Sequence, residues 1–128
     1  MAADLGASDY LELPIITDRL AKTQYMQKCK IYLQPSRFEG FGQAILEAMS
    51  CGAPVVTSPA GAVPEVVGDT ALLVDGTSPE AIARAVNDLL DHDDVRKELG
   101  MRARARAEKL YSYARRRDDL RKIIQTLT

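Results

Sequence analysis

Short apolar segments alternate with longer helical segments along this chain of 128 residues. The apolar runs predict strands at residues 10–13, 31–33, 54–57 and 71–74, and a segment with helical spacing follows each of them. Strands that alternate with helices form parallel sheets. The pattern therefore predicts an α/β fold with a parallel sheet of three or four short strands.

Capping residues predict where the helices begin. Thr17 or Asp18 can cap a helix that ends near Lys28, and Ser78 can cap a second one. Residues 93–110 have helical spacing that Gly100 interrupts, so we expect a break there. Further helices are predicted at residues 44–50, 64–67 and 115–127.

Length and composition favour one domain with its own core, because 46% of the side chains are apolar. No apolar run approaches the roughly 18 to 20 residues that span a bilayer, and the N-terminus does not resemble a signal peptide. We therefore expect a cytoplasmic protein. Cys29 and Cys51 lack metal-site spacing, which favours buried free thiols over a disulfide or a metal site.

The net charge of −1 hides a strong asymmetry. From Arg102 to Lys122 the chain has nine basic residues and three acids, a net charge of +6 that leaves −7 for the rest. A solvated helix surface is the preferred interpretation, and contact with an anionic membrane is an alternative. Nucleic-acid binding is not expected, because the segment has no aromatic stacking set and no DNA-binding motif.

The chemistry is concentrated between residues 35 and 56. Glu39 precedes two glycines, Gly40 and Gly42, that let backbone approach a ligand closely, and the apolar helix that follows carries Glu47. The first amides of a helix are unpaired and favour an anion. Two carboxylates around such a helix start suit a ligand with hydroxyls at both ends and negative charge between them, such as a nucleotide sugar.

The same segment resembles the donor-binding signature of retaining GT-B glycosyltransferases of group 1, which include glycogen synthases and lipid mannosyltransferases. Their hallmark is two glutamates separated by seven residues, here Glu39 and Glu47 within PSRFEGFGQAILEAM. The blocks CGAPVVTS, VPEVVGD, ALLVD and SPEAIARAV follow in the order typical of the family. The resemblance extends from about Thr17 to about Ala114 and identifies a partial C-terminal, donor-binding domain with a Rossmann-like, doubly wound sheet.

The resemblance also implies roles for individual residues. Glu39 would be the catalytic residue and bind hydroxyls of the transferred sugar, and Glu47 would bind the ribose. Backbone amides would face the sugar and the distal phosphate at Phe41, Gly42, Gln43 and Ala44. Neither a metal nor a cofactor is implied, because the leaving phosphate is thought to assist deprotonation of the acceptor.

Segments that in this family precede Tyr10 carry the central strand and a glycine-rich turn with the Arg and Lys that neutralise the pyrophosphate. We therefore expect residues 1–128 to form one partial domain, with residues 1–9 flexible. The strand at residues 31–33 would expose an apolar edge. We expect the chain to form a homodimer or to pair with another chain, and to lack transferase activity by itself.

Two other functions stay open. A module that binds nucleotide sugars without turnover, or that serves in assembly, is the main alternative. A hydrolase using Glu39 and Glu47 as acid and base is weaker, because ligation of a donor places the two acids at the sugar and at the ribose, too far apart for that task.

Overall fold

The computed structural model describes residues 3–127, which form three short strands, six α-helices and one 3-10 helix. In chain order these are the 3-10 helix Ser8–Tyr10, α1 Arg19–Lys28, β1 Tyr32–Gln34, α2 Gln43–Ser50, β2 Val55–Thr57, α3 Val63–Val67, β3 Leu72–Leu73, α4 Pro79–Asp91, α5 Asp93–Tyr111 and α6 Tyr113–Leu127. The predicted flexibility of residues 1–9 includes residues 1–2, which lie outside the described part; for residues 3–9 it stays a prediction.

The three strands form one parallel sheet in the order β1-β2-β3. Tyr32 is opposite Val55, and Val56 is opposite Leu72. All three residues of β2 are fully buried, as expected for a central strand that helices cover on both faces. The α/β class and the parallel sheet predicted from the sequence are confirmed.

The strand predicted at residues 10–13 is wrong. The backbone there leaves a 3-10 helix at Tyr10 and continues without regular structure to the start of α1. Leu11 and Leu13 are exposed, so no neighbouring strand within residues 3–127 covers them. A strand needs a partner for its backbone N–H and C=O groups, and apolar composition cannot supply one.

The main core lies between α2 and α5. Helix α2 buries Ile45, Leu46, Ala48 and Met49. Helix α5 faces it with small side chains, among them Ala103 and Ala107, and the two helices pack side by side. Small residues on one helix permit a close approach to the larger side chains of the other.

Helix α5 passes through Gly100 without interruption, so the predicted break is wrong. A Cβ at position 100 would lie 2.3 Å from the carbonyl oxygen of Gly52 and 3.5 Å from Cδ of Pro54. The absence of a side chain at Gly100 therefore allows α5 to contact the segment that connects α2 to β2. Sequence alone cannot separate this use of a helical glycine from a helix end.

Side chains cap the helices where the sequence predicts. The Asp18 carboxylate accepts a hydrogen bond from the Ala21 amide at 2.9 Å, and the Ser78 hydroxyl accepts one from the Ala81 amide at 3.1 Å. The buried Arg96 guanidinium donates to the carbonyl oxygen of Leu89 at 3.1 Å and so binds the C-terminal end of α4.

Replacement of Gly100 by alanine tests the contact between α5 and Gly52. Alanine normally favours a helix by about 1 kcal/mol over glycine, but here the clash with a backbone oxygen should destabilise the fold by about 1–3 kcal/mol. Urea denaturation followed by circular dichroism measures the change. Gly40→Ala is the matched control, because nothing lies within 4 Å of a Cβ at that position. Equal or greater stability of Gly100→Ala would refute this account of the packing.

Candidate functional site

The candidate site lies where β1 ends, in the loop that connects this strand to α2. Open α/β sheets bind ligands at the carboxyl ends of their strands. The loop covers residues 35–42 and ends at Gly42, whose left-handed backbone is the N-cap of α2. Both glutamates predicted as ligands are attached to this unit, one in the loop and one on the helix.

Two protein donors hold the Glu39 carboxylate. Gln34 Nε2 donates to Glu39 Oε2 at 2.8 Å, and the Gly42 backbone N–H donates to Glu39 Oε1 at 3.2 Å. The side chain is half-buried. Because an ionised carboxylate has about four lone-pair positions, each oxygen keeps one acceptor position for another donor.

A second contact fixes the backbone of Glu39. Gly61, in the loop after β2, has a φ of +55°, and a Cβ there would lie 1.8 Å from the carbonyl oxygen of Glu39. The same loop begins at Ser58, whose hydroxyl donates to the carbonyl oxygen of Ser36. The loops after β1 and β2 thus pack against each other directly, and only glycine fits at position 61.

The phenol of Tyr32 is within electrostatic range of both glutamates. Its hydroxyl donates to Gln34 Oε1 at 2.7 Å. Burial raises the pKa of Tyr32, and the negative charges of Glu47, Glu39 and Cys29 raise it further. Both carboxylates are therefore close enough to disfavour a third negative charge on the phenol.

Glu47 forms an ion pair with a residue of α1. Lys22 Nζ lies 2.5 Å from Glu47 Oε2. The same oxygen is inaccessible to solvent, and the Lys22 ammonium is its charged partner. On the helix, Glu47 shares its polar stripe with Gln43 and Ser50, which are exposed, as predicted.

A cleft of about 800 Å³ opens beside Glu47. Helices α1, α2, α5 and α6 form its walls, and three of the predicted site residues line it: Phe41, Gln43 and Glu47. The Phe41 ring packs edge-on against Tyr111 of α5, with centroids 6.0 Å apart and planes at 77°. The lining mixes apolar side chains with polar and charged ones, which can fix the orientation of a ligand.

The predicted residues therefore fall into two neighbourhoods. Glu39, Gly42 and Ala44 are absent from the lining of the cleft, whereas Phe41, Gln43 and Glu47 belong to it. Glu39 is held by Gln34 and Gly42, and Glu47 is held by Lys22. The two glutamates share no hydrogen-bonding partner, which does not favour their use as an acid and base pair.

Sequence reasoning missed two side chains that contact the glutamates. Gln34 is a polar residue at the end of an apolar strand, two positions after Tyr32, and that position was the available signal. Lys22 gave no signal, because one lysine on a polar helix face is ordinary. The cleft contains two further cations that the sequence did not indicate, Arg19 and Arg116.

Most of the basic segment is paired within the protein. Six of its nine cations bind acids or backbone oxygens: Arg102, Arg104, Arg106, Arg115, Arg117 and Arg121. Helix surfaces with such pairs are ordinary solvated surfaces. Membrane contact by this segment, a cytoplasmic location and the absence of a nucleic-acid partner stay predictions.

Cys29 and Cys51 are free thiols, and burial raises the pKa of both. Within residues 3–127, no group of three or more His, Cys, Asp or Glu side chains is placed to hold a metal ion. In the same part of the chain, no helix has the length and apolar character needed to cross a membrane.

The parallel three-stranded sheet with helices packed against it defines a Rossmann-like α/β domain. Residues 1–106 match the family model described as glycosyl transferases group 1. The chain therefore belongs to that family. The resemblance to group 1 glycosyltransferases predicted from the sequence is confirmed, and the retaining course stays a prediction.

Curated relatives are several times longer than this chain. It is 43% identical to O-antigen chain mannosyltransferase B of Escherichia coli over 79 residues. This aligned segment covers 62% of the chain and 21% of the relative. It is also 34% identical to D-inositol 3-phosphate glycosyltransferase of Paenarthrobacter aurescens over 109 residues. This alignment covers 82% of the chain and 26% of the relative.

Solved structures show the same fold. Sucrose-phosphate synthase from Thermosynechococcus elongatus aligns with a TM-score of 0.90 and 24% identity, over 98% of this chain and 32% of its own. HepE from Anabaena, in complex with UDP and glucose, aligns with a TM-score of 0.89 and 23% identity, over 98% of this chain and 34% of its own. The chain has the Rossmann-like fold of GT-B C-terminal domains.

Titration of Tyr32 tests the placement of the glutamates. Replacing Glu47 with glutamine removes a negative charge that opposes the tyrosinate, so the pKa of Tyr32 should fall toward its ordinary value of 10.0. The chemical shift of the ¹³C-labelled phenol carbon, followed against pH, measures it. Glu108→Gln is the control, since Glu108 pairs with Arg104 and does not affect Tyr32. An unchanged titration in Glu47→Gln would contradict the arrangement.

Proposed function

We propose that this chain is the nucleotide-sugar-binding part of a retaining glycosyltransferase, which transfers a hexosyl group from a nucleotide diphosphate sugar to an acceptor. The observation that carries the proposal is a pair of differently held carboxylates, one before the short helix α2 and one on it. Glu39 lies before the N-terminus of α2 and Glu47 lies on its polar stripe beside the cleft. A donor of this class has hydroxyls at both ends and phosphates between them.

The sugar end of the donor is assigned to Glu39. Its two oxygens each accept one protein donor, which leaves one acceptor position on each. Two neighbouring sugar hydroxyls can donate to those positions at once. The amides of Gln43 and Ala44, in the first turn of α2, are assigned to the phosphate next to the sugar, where the helix dipole favours negative charge.

The nucleotide end is assigned to Glu47 and the cleft. The Glu47 side chain is half-buried beside the cleft, and a carboxylate paired with one ammonium group keeps further lone-pair positions to which a ribose hydroxyl can donate. The apolar side chains of Phe41 and Leu46 in the lining suit the flat faces of a nucleobase. Lys22 offers a cation at the same place.

Family membership supports transfer chemistry of this type. Among structures of the same fold, HepE has been solved with UDP and with UDP-glucose. We propose nucleotide-sugar binding for this chain as well, because both glutamates of the motif are present and each has a partner within the protein that fixes its position. The retaining course and the direct help of the leaving phosphate belong to the proposal as well. In it, Glu39 is the catalytic residue because it touches the sugar that is transferred.

We expect the chain by itself to bind a donor without transferring its sugar. Transfer requires stabilisation of the leaving diphosphate and a bound acceptor. The chain spans about a quarter of the curated relatives that it matches, so these capabilities are assigned to the whole protein rather than to this portion.

Donor binding is tested by calorimetric titration with UDP-glucose, GDP-mannose, UDP and GDP. We expect at least one nucleotide sugar to bind more tightly than its diphosphate. Glu39→Gln should remove this preference, and Glu47→Gln should weaken sugar nucleotide and diphosphate alike, each by about tenfold to a hundredfold, because a charge-assisted hydrogen bond is lost. Glu98→Gln serves as the control variant, because Glu98 is exposed on α5 and does not line the cleft.

A second candidate function, a non-catalytic binding or assembly module, is favoured by one observation. Strand β1 is at the edge of the sheet, and its outer side is unpaired within the described residues. Leu33 on this strand is exposed. An unpaired parallel edge with an apolar side chain attracts another strand. Release of free or transferred sugar by the whole protein would exclude the module.

We also propose that the β1 edge pairs with a second copy of the chain or with another chain. Analytical ultracentrifugation of the purified chain should then give a dimer, and Leu33→Lys should give a monomer, because a charge on an edge strand prevents pairing. Leu90→Lys is the matched control, since Leu90 is equally exposed on α4. A monomer at all concentrations would contradict self-association.

A further inference from the structure

We infer that Gln34 is a positioning residue for Glu39, and that Tyr32 orients the Gln34 amide through a hydrogen bond. The inference rests on the proposed function, in which Glu39 binds the hydroxyls of the donor sugar. It adds a specificity-determining role for two residues on β1 that precede the loop motif in sequence and do not line the cleft.

Three hydrogen bonds in series carry the inference. The Tyr32 hydroxyl donates to Gln34 Oε1 at 2.7 Å, and Gln34 Nε2 donates to Glu39 Oε2 at 2.8 Å. On the other side of the carboxylate, the Gly42 N–H donates to Glu39 Oε1 at 3.2 Å. The carboxylate is therefore held from two directions, which fixes its plane as well as its position.

The direction of each bond follows from the chemistry of the groups. An ionised carboxylate can only accept, so the amide must turn its NH₂ group toward Glu39. Its oxygen then faces Tyr32, whose hydroxyl can donate to it. The opposite orientation would place the amide oxygen against the negative carboxylate. Tyr32 thus selects the orientation of the Gln34 amide that Glu39 requires.

The backbone of the strand makes this arrangement rigid. Residues two apart on a strand project to the same face, so Tyr32 and Gln34 meet without strain. Tyr32 N–H donates to the carbonyl oxygen of Pro54 at 2.8 Å, and the Thr57 hydroxyl donates to the carbonyl oxygen of Gln34 at 2.8 Å. Groups on a paired strand hold a site more firmly than groups on a loop.

The arrangement affects specificity because it determines which acceptor positions of Glu39 remain. Each carboxylate oxygen keeps one lone pair, and both lie in a plane set by Gln34 and Gly42. Two hydroxyls on adjacent ring carbons fit such a pair of acceptors. Without Gln34, the loop carboxylate could rotate, and the sugar would lose its fixed partner while the diphosphate would keep its own contacts.

The test compares affinity for UDP-glucose or GDP-mannose with affinity for the corresponding diphosphate, by calorimetry on the purified chain. We expect Gln34→Leu to reduce the preference for the sugar nucleotide by about tenfold and to leave the diphosphate affinity unchanged, because the side-chain partners that it loses, Tyr32, Ser36 and Glu39, all lie outside the cleft. Tyr32→Phe should give a smaller reduction of the same kind. Gln27→Leu, at an exposed position on α1, is the matched control.

The possible results separate the positioning role from the proposed function. If wild type prefers a sugar nucleotide and Gln34→Leu keeps that preference, the positioning role is overturned alone. If Gln34→Leu weakens sugar nucleotide and diphosphate equally, Gln34 is a structural residue and the inference is overturned. If wild type shows no preference for any sugar nucleotide, the proposed function fails and the positioning role fails with it.

Discussion

The packing of α2 beneath α5 is the interaction on which the rest of the structure depends. Four of the eight residues of α2 are buried, and the small residues of α5 let the two helices approach closely. Glu39 is joined to the start of this helix through the Gly42 amide, and Glu47 is carried by its polar stripe. Any shift of α2 would therefore move both carboxylates together.

The two carboxylates differ in how the protein treats their charge. Glu39 receives two neutral donors, so its negative charge is retained and available to hydroxyl groups. Glu47 is next to the Lys22 ammonium, which neutralises its charge locally and covers one of its two oxygens. The difference in charge environment between Glu39 and Glu47 fits a ligand that has hydroxyl groups at both ends and carries its negative charge nearer to one end than to the other.

Much of the fold could be predicted from the sequence. Apolar residues that recur every two positions indicate the buried face of a strand, and those that recur every 3.6 positions indicate the buried face of a helix. The caps at Asp18 and Ser78 and the strands ending at Thr57 and Leu73 followed from such local signals. The strand expected at residues 10–13 failed because pairing depends on a partner rather than on composition. Gly100 was misinterpreted because a close helix contact and a helix end both require glycine.

The site could be predicted only in part, for a related reason. The motif identified Glu39 and Glu47, but the residues that hold them, Gln34 and Lys22, are fixed by tertiary contacts that no spacing rule expresses. The central claim is that one donor molecule spans both glutamates. A crystal structure of the chain with a bound nucleotide diphosphate sugar tests it most directly. We expect sugar hydroxyls within hydrogen-bonding distance of Glu39 and ribose hydroxyls within the same distance of Glu47. A donor bound elsewhere, or held by only one of the two carboxylates, would contradict the account.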